Sequence, residues 1–133
     1  MGKYGQTAKL AVELLISNEV SNPIEAWTIA AERMFPNSLS SRDKACPKSS
    51  FLSLCEDGYI VNVEKGNYTR SKKNKEYALK AISLLKSNSS LSEKELWSLV
   101  IGTADKQYNS QMDVVKILWD KNYINQNNIP TLK

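Results

Sequence analysis

The 133-residue chain has no histidine and only two cysteines. Without imidazole there is no Ser-His-Asp or Cys-His machinery and no haem histidine. Two cysteines without histidine are too few for a structural zinc site, so neither a metal nor a cofactor is expected. No glycine-rich nucleotide loop occurs, and no apolar run approaches the ~20 residues that span a bilayer. The opening Met1-Gly2-Lys3-Tyr4-Gly5-Gln6 has no signal-peptide core and lacks the hydroxyl residue that myristoylation requires at position six. The expectation is a cytoplasmic protein with no membrane contact. Cys46 and Cys55 are nine residues apart. In a helix their Cα atoms stand ~13 Å apart at ~1.5 Å per residue, beyond the ~7 Å reach of a disulfide. Both are expected to be reduced, with Cys55 acting as a small core side chain.

What is present is ordinary for a globular protein: 41% hydrophobic and 24% charged residues. A single domain over residues 1–133 follows from the length. The net charge of +4 decides little, but its distribution is uneven. Residues 1–58 carry net −1, residues 59–86 net +5, and residues 87–133 are neutral. The densest part reads Arg70-Ser71-Lys72-Lys73-Asn74-Lys75. A concentrated positive stretch suits a polyanion, although a solvated loop has the same composition.

Shifted by 70 positions, the chain partly matches itself. Lys3 falls on Lys73, Ala8 on Ala78, Ala11 on Ala81, Leu14-Leu15 on Leu84-Leu85, Ser17-Asn18 on Ser87-Asn88, Glu25 on Glu95 and Trp27 on Trp97. Farther on, Asp57-Gly58-Tyr59-Ile60 aligns with Lys121-Asn122-Tyr123-Ile124. This predicts a mainly α fold of two tandem three-helix, helix-turn-helix-like units packed together, over residues 1–71 and 72–124, with a polar tail at 125–133. Ala8, Ala11, Val12 and Leu15 share one helix face, as do Ala78, Ala81, Ile82 and Leu85. Asn22-Pro23-Ile24-Glu25 and Ser92-Glu93-Lys94-Glu95 are helix starts, so Glu25 and Glu95 are read as caps and Trp27 and Trp97 as core anchors. A third helix runs from about Pro47 to Asp57, closed by Gly58. Its counterpart starts at Ser110-Gln111-Met112-Asp113, another apparent capping box, and is closed by Asn122.

After Gly58, Tyr59-Ile60-Val61-Asn62-Val63, the turn Glu64-Lys65-Gly66-Asn67 and Tyr68-Thr69-Arg70 predict a β-hairpin near residues 59–70. Phe51-Leu52-Ser53-Leu54-Cys55-Glu56-Asp57-Gly58-Tyr59-Ile60 resembles the end of a winged-helix recognition helix leading into its first wing strand. That resemblance covers about residues 3–71. The whole chain also resembles a family of small bacterial proteins with no assigned function. The stretches that carry it are Cys46-Pro47-Lys48-Ser49 with Phe51-Leu52 and Leu54-Cys55, Gly66 to Lys75, and Asn109 to Val115. This second resemblance implies no activity and no site.

Nucleic acid is the natural partner for such a unit. Lys48 and Ser49 would lie at the start of the recognition helix. Tyr68, Thr69, Arg70, Ser71, Lys72, Lys73 and Lys75 would hold phosphates around the start of the next helix, and Asn109 and Gln111 would read base edges from the second unit. The competing expectation is a helical protein-interaction module, acting on a protein partner or as a homodimer. An enzyme is the third expectation: Asp43, Asp57, Asp105 and Asp113 form no acidic motif of useful spacing and Cys46, a candidate nucleophile, has no evident base beside it, so the leading readings are non-enzymatic.

Overall fold

Local capping chemistry sets the helix starts in the computed structural model, which describes residues 2–129. The helices are α1 (Lys3–Ile16), α2 (Pro23–Met34), α3 (Leu39–Arg42), α4 (Ala45–Glu56), α5 (Lys72–Ser87), α6 (Glu93–Ile101) and α7 (Gln111–Asp120), followed by a 3₁₀ turn at Gln126–Asn128. The Asn22 Oδ1 accepts from the N–H groups of Ile24 (2.8 Å) and Glu25 (3.3 Å), with Pro23 in the first helical position. Ser92 and Glu95 form the reciprocal capping box of α6. The α7 start differs from expectation. Ser110 sits at φ +66° with no side-chain cap. Tyr108 takes over, its Oη accepting from the Asp113 N–H at 2.9 Å and donating to the Asp113 carboxylate. The short α3, with Ser38 as its cap, has no signature in the hydrophobic pattern.

Helix α1 packs on α2 and α7, α5 packs on α4, α6 and α7, and α4 packs on α2, α5 and α7. The first helix of each half therefore lies against the third helix of the other half, and one core runs through both. Ala8, Ala11, Ala78 and Ala81 are all fully buried, and Trp27 meets Phe51 with ring centroids 5.4 Å apart. Small side chains let helices approach closely while the large rings fill the space between. Among the described residues no helix is long and apolar enough to cross a membrane.

The expected hairpin is absent: among the described residues there is one isolated antiparallel bridge, between Ile60 and Ile124. Both α4 and α7 end in the same cap. Gly58 (φ +77°) and Asn122 (φ +62°) turn the chain through the left-handed region. Tyr59 N–H then bonds to Leu54 O (3.1 Å), and Tyr123 N–H to Leu118 O (2.9 Å). The emerging segments pair with each other: Val61 N–H reaches Tyr123 O at 3.0 Å, and Asn125 N–H reaches Tyr59 O at 2.7 Å. Ile60 is thus committed to Ile124 rather than to a local return strand. That return strand has lost its donors as well, because the Tyr68 and Thr69 N–H groups both bond to Glu56 Oε1 at 2.8 Å. β-Branched and aromatic residues and a turn signal favour a hairpin, but a carboxylate and a distant segment hold the hydrogen-bonding groups it required.

The C-terminal half of α4 is interior. Ser50 to Cys55 are without exception buried, at 0–3% exposure. Helix α4 lies between three partners and reaches the surface at its start, where Ala45 is exposed and Cys46, Lys48 and Ser49 are half-buried. Cys55 is buried as expected, its thiol pushed up in pKa by burial and by the adjacent Glu56. Both cysteines are free. In the polar tail Ile129 is 3% exposed and its carbonyl accepts from Lys86 Nζ at 2.7 Å. The remainder of the tail, residues 130–133, lies outside the described residues.

Candidate nucleic-acid interface

The basic stretch divides into a part already neutralised and a part that is free. Glu56 caps no helix; it closes the 59–71 loop. Its Oε1 takes the Tyr68 and Thr69 N–H groups, and its Oε2 takes Lys75 Nζ at 3.1 Å, with Asp57 Oδ1 also 3.2 Å from Lys75. Burial pushes the Glu56 carboxyl up, but the bonds from Thr69, Lys75 and Tyr68 outweigh it and hold the group below its usual range. Burial likewise lowers Lys75, and the bonds to Glu56 and Asp57 outweigh that and raise it. The anion facing Tyr68, Thr69 and Lys75 is therefore intramolecular. Ser71 caps α5 through Asn74 N–H (3.4 Å) and itself meets Thr69 Oγ1 (3.2 Å). Arg70 and Lys72 are exposed and form no ion pair among the described residues. Lys73 has an ion pair with Glu76 at 3.5 Å, with both side chains mostly in water, so it separates at little cost.

Lys73 borders a hollow of about 280 Å³ where the first turns of α4, α5 and α7 come together. Cys46, Lys73, Asn74 and Gln111 reach it from those turns, Tyr77 and Trp97 form its apolar side, and Lys106, Gln107 and Asn109 complete it from the α6–α7 loop. Polar contacts join these segments. Gln111 Oε1 accepts from Asn109 N–H at 2.7 Å, Gln111 Nε2 donates to Asn74 Oδ1 at 3.4 Å, and Asn109 Nδ2 lies 4.0 Å from Cys46 Sγ. None of the lining residues is acidic. Three helix N-termini carry partial positive charge, and Lys73 and Lys106 add to it, Lys73 in part offset by Glu76 at 3.5 Å, so the lining of the hollow is electropositive. The Tyr108 ring packs on Trp97 (5.3 Å), fixing the loop that presents Gln107 and Asn109.

Three of the sequence candidates, Lys73, Asn109 and Gln111, meet here although they come from different segments. Gln111 is 3% exposed with both ends of its amide engaged. It positions Asn109 and Asn74 rather than presenting an edge. Lys48 is elsewhere, half-buried beside Trp27, Arg42 and Asp43 at a separate hollow of about 160 Å³. Ser49 is half-buried on α4. Asn74, Tyr77, Trp97, Lys106 and Gln107 were not singled out as ligand-facing. Asn74 lay inside the basic run and Lys106-Gln107 just before Asn109, but nothing local says that the starts of α5 and α7 face each other.

A family model described as a family of unknown function (DUF6979) matches residues 1–125, and the chain belongs to that family. No curated protein and no solved structure matches it.

Proposed function

We propose that this member of a family of unknown function is a non-enzymatic nucleic-acid-binding protein that holds phosphates at the electropositive pole formed by Lys73, Lys106 and the starts of α4, α5 and α7. The observation that carries this reading is the hollow's lining: two lysines, four carboxamides and two aromatic rings, with no carboxylate. Arg70 and Lys72, exposed on the approach to α5, extend the positive surface along which a backbone would run. Contacts of this kind position a nucleic acid without reading its sequence. Fluorescence anisotropy with mixed-sequence DNA and RNA tests it. Binding is expected to weaken steeply as salt rises. Absent or salt-independent binding would refute it.

A second reading, a protein-interaction module, is favoured by one observation. Leu99 is 48% exposed on α6, and the hollow beside it is lined by Leu91, Lys94, Glu95 and Ser98. A stoichiometric protein partner lost on Leu99→Asp would support it.

A further inference from the structure

We infer that the hollow between the starts of α4, α5 and α7 seats one unpaired nucleotide of a single strand, not a segment of duplex. The inference rests on the nucleic-acid reading above and names the form of the ligand. Duplex recognition by direct readout requires an element that enters a groove, usually a helix. The one helix placed to do so by sequence, α4, reaches the surface only over its first turn or so, at Ala45 to Ser49, and is interior from Ser50 to Cys55. What the surface offers is a concavity of about 280 Å³, a size for one small ligand rather than for a double helix.

Its chemistry is divided as a nucleotide is. Tyr77 and Trp97 stand edge to face, with ring centroids 5.3 Å apart, and form an apolar wall of the kind against which an unstacked base packs. Gln107 is exposed, and the Asn109 amide has only long contacts, 3.5 Å to the Gln107 carbonyl and 4.0 Å to Cys46 Sγ. Both carboxamides are thus available to a base edge, where paired donor and acceptor groups recognise bases. Lys73 and Lys106 border the same space with no carboxylate among its lining residues and face a phosphate. A base paired in a duplex hides its Watson–Crick edge and both its faces, so this arrangement of stacking wall and carboxamides serves a nucleotide that is already unpaired.

Cys46 reports occupancy without any engineering. It lines the hollow and is partly exposed, whereas Cys55 is fully buried. Alkylation of each thiol, read by peptide mass spectrometry, follows the site, and Cys55 labelling flags unfolding. At ten times its dissociation constant, a 5′-phosphorylated mixed-sequence single strand should slow Cys46 alkylation about tenfold by simple occupancy. A blunt duplex of the same sequence should leave the rate unchanged. The Gln107→Ala/Asn109→Ala variant should lose the protection while keeping its thermal midpoint. If single strand binds but Cys46 is unprotected, or duplex protects equally, the inference is overturned while the broader nucleic-acid reading stands. If a free mononucleotide protects and the strand does not, the ligand is a nucleotide and the strand assignment fails. If neither strand binds, both readings fall.

Discussion

Replacing Glu56 tests how the loop that took the place of the hairpin is held. Glu56 receives two N–H bonds at 2.8 Å and the Lys75 ammonium at 3.1 Å, with its side chain 9% exposed. Hydrogen bonds to charged groups are worth ~1.5–3 kcal/mol each. The effects do not simply add, because water can reach the freed loop amides and Lys75 keeps Asp57 at 3.2 Å. Glu56→Ala is therefore expected to cost about 2–3 kcal/mol. At about 4 °C per kcal/mol for a domain of this size, the thermal midpoint should fall by about 8–12 °C. Glu56→Gln keeps an acceptor for both amides and loses the charge, so about half that loss is expected. The pH dependence has a definite sign. The folded-state pKa of Glu56 is lowered, so its contribution is complete above the ordinary value of 4.5 and is lost as pH falls through the folded-state value. Lys75 is raised, so its contribution is complete below its ordinary value of 10.5 and is lost only as pH rises through a still higher value. Wild type and Glu56→Gln should differ by a constant amount across neutral pH and converge in acid. Chemical denaturation at neutral and acidic pH measures this. A Glu56→Ala cost below about 0.5 kcal/mol at pH 7, the range of an ordinary surface substitution, or a Glu56→Gln gap that persists in acid, would refute the reasoning.

Three further outcomes are expected. Ile60→Ala and Ile124→Ala each remove a buried side chain from the bridge between the halves, and each should cost about 2–5 kcal/mol. A double-mutant cycle in urea should show coupling between them, and strict additivity would argue against the pairing. Ser53 is fully buried and its Oγ has no partner among the described residues, so Ser53→Ala should be neutral or stabilising by about 1 kcal/mol, and a clear loss in a thermal melt would mean the hydroxyl is satisfied. Gly58→Ala should lower stability by about 1 kcal/mol or more, because φ is +77° and an added Cβ would sit 3.1 Å from the Lys65 side chain; an unchanged denaturation midpoint would contradict the cap.

Helices were legible because their signals are local. Asn22, Ser92, Gly58 and Asn122 act within a few residues of themselves, and the alanine faces repeat at helical spacing. The hairpin was misread because its fate depends on Glu56 and on the 123–125 segment, neither of which is marked by the sequence of the hairpin. The apolar residues of α4 are buried as their types imply; Ser50 joins them because its hydroxyl donates to the Cys46 carbonyl at 3.0 Å. At the candidate site, residue types were visible but their meeting was not. Lys73 and Asn109 become neighbours only because α5 and α7 pack together, a long-range fact that charge counting does not contain.

The most direct test of phosphate binding at the electropositive hollow is the salt dependence of single-strand affinity for wild type and for Lys73→Ala/Lys106→Ala. Each phosphate contact on a single strand contributes a slope of about −0.7 in log K against log salt. If both lysines hold phosphates, the double variant should bind more weakly and with a slope shallower by about 1.4. An unchanged slope, with the variant folded as wild type by its thermal melt, would contradict the assignment of the hollow as the nucleic-acid site.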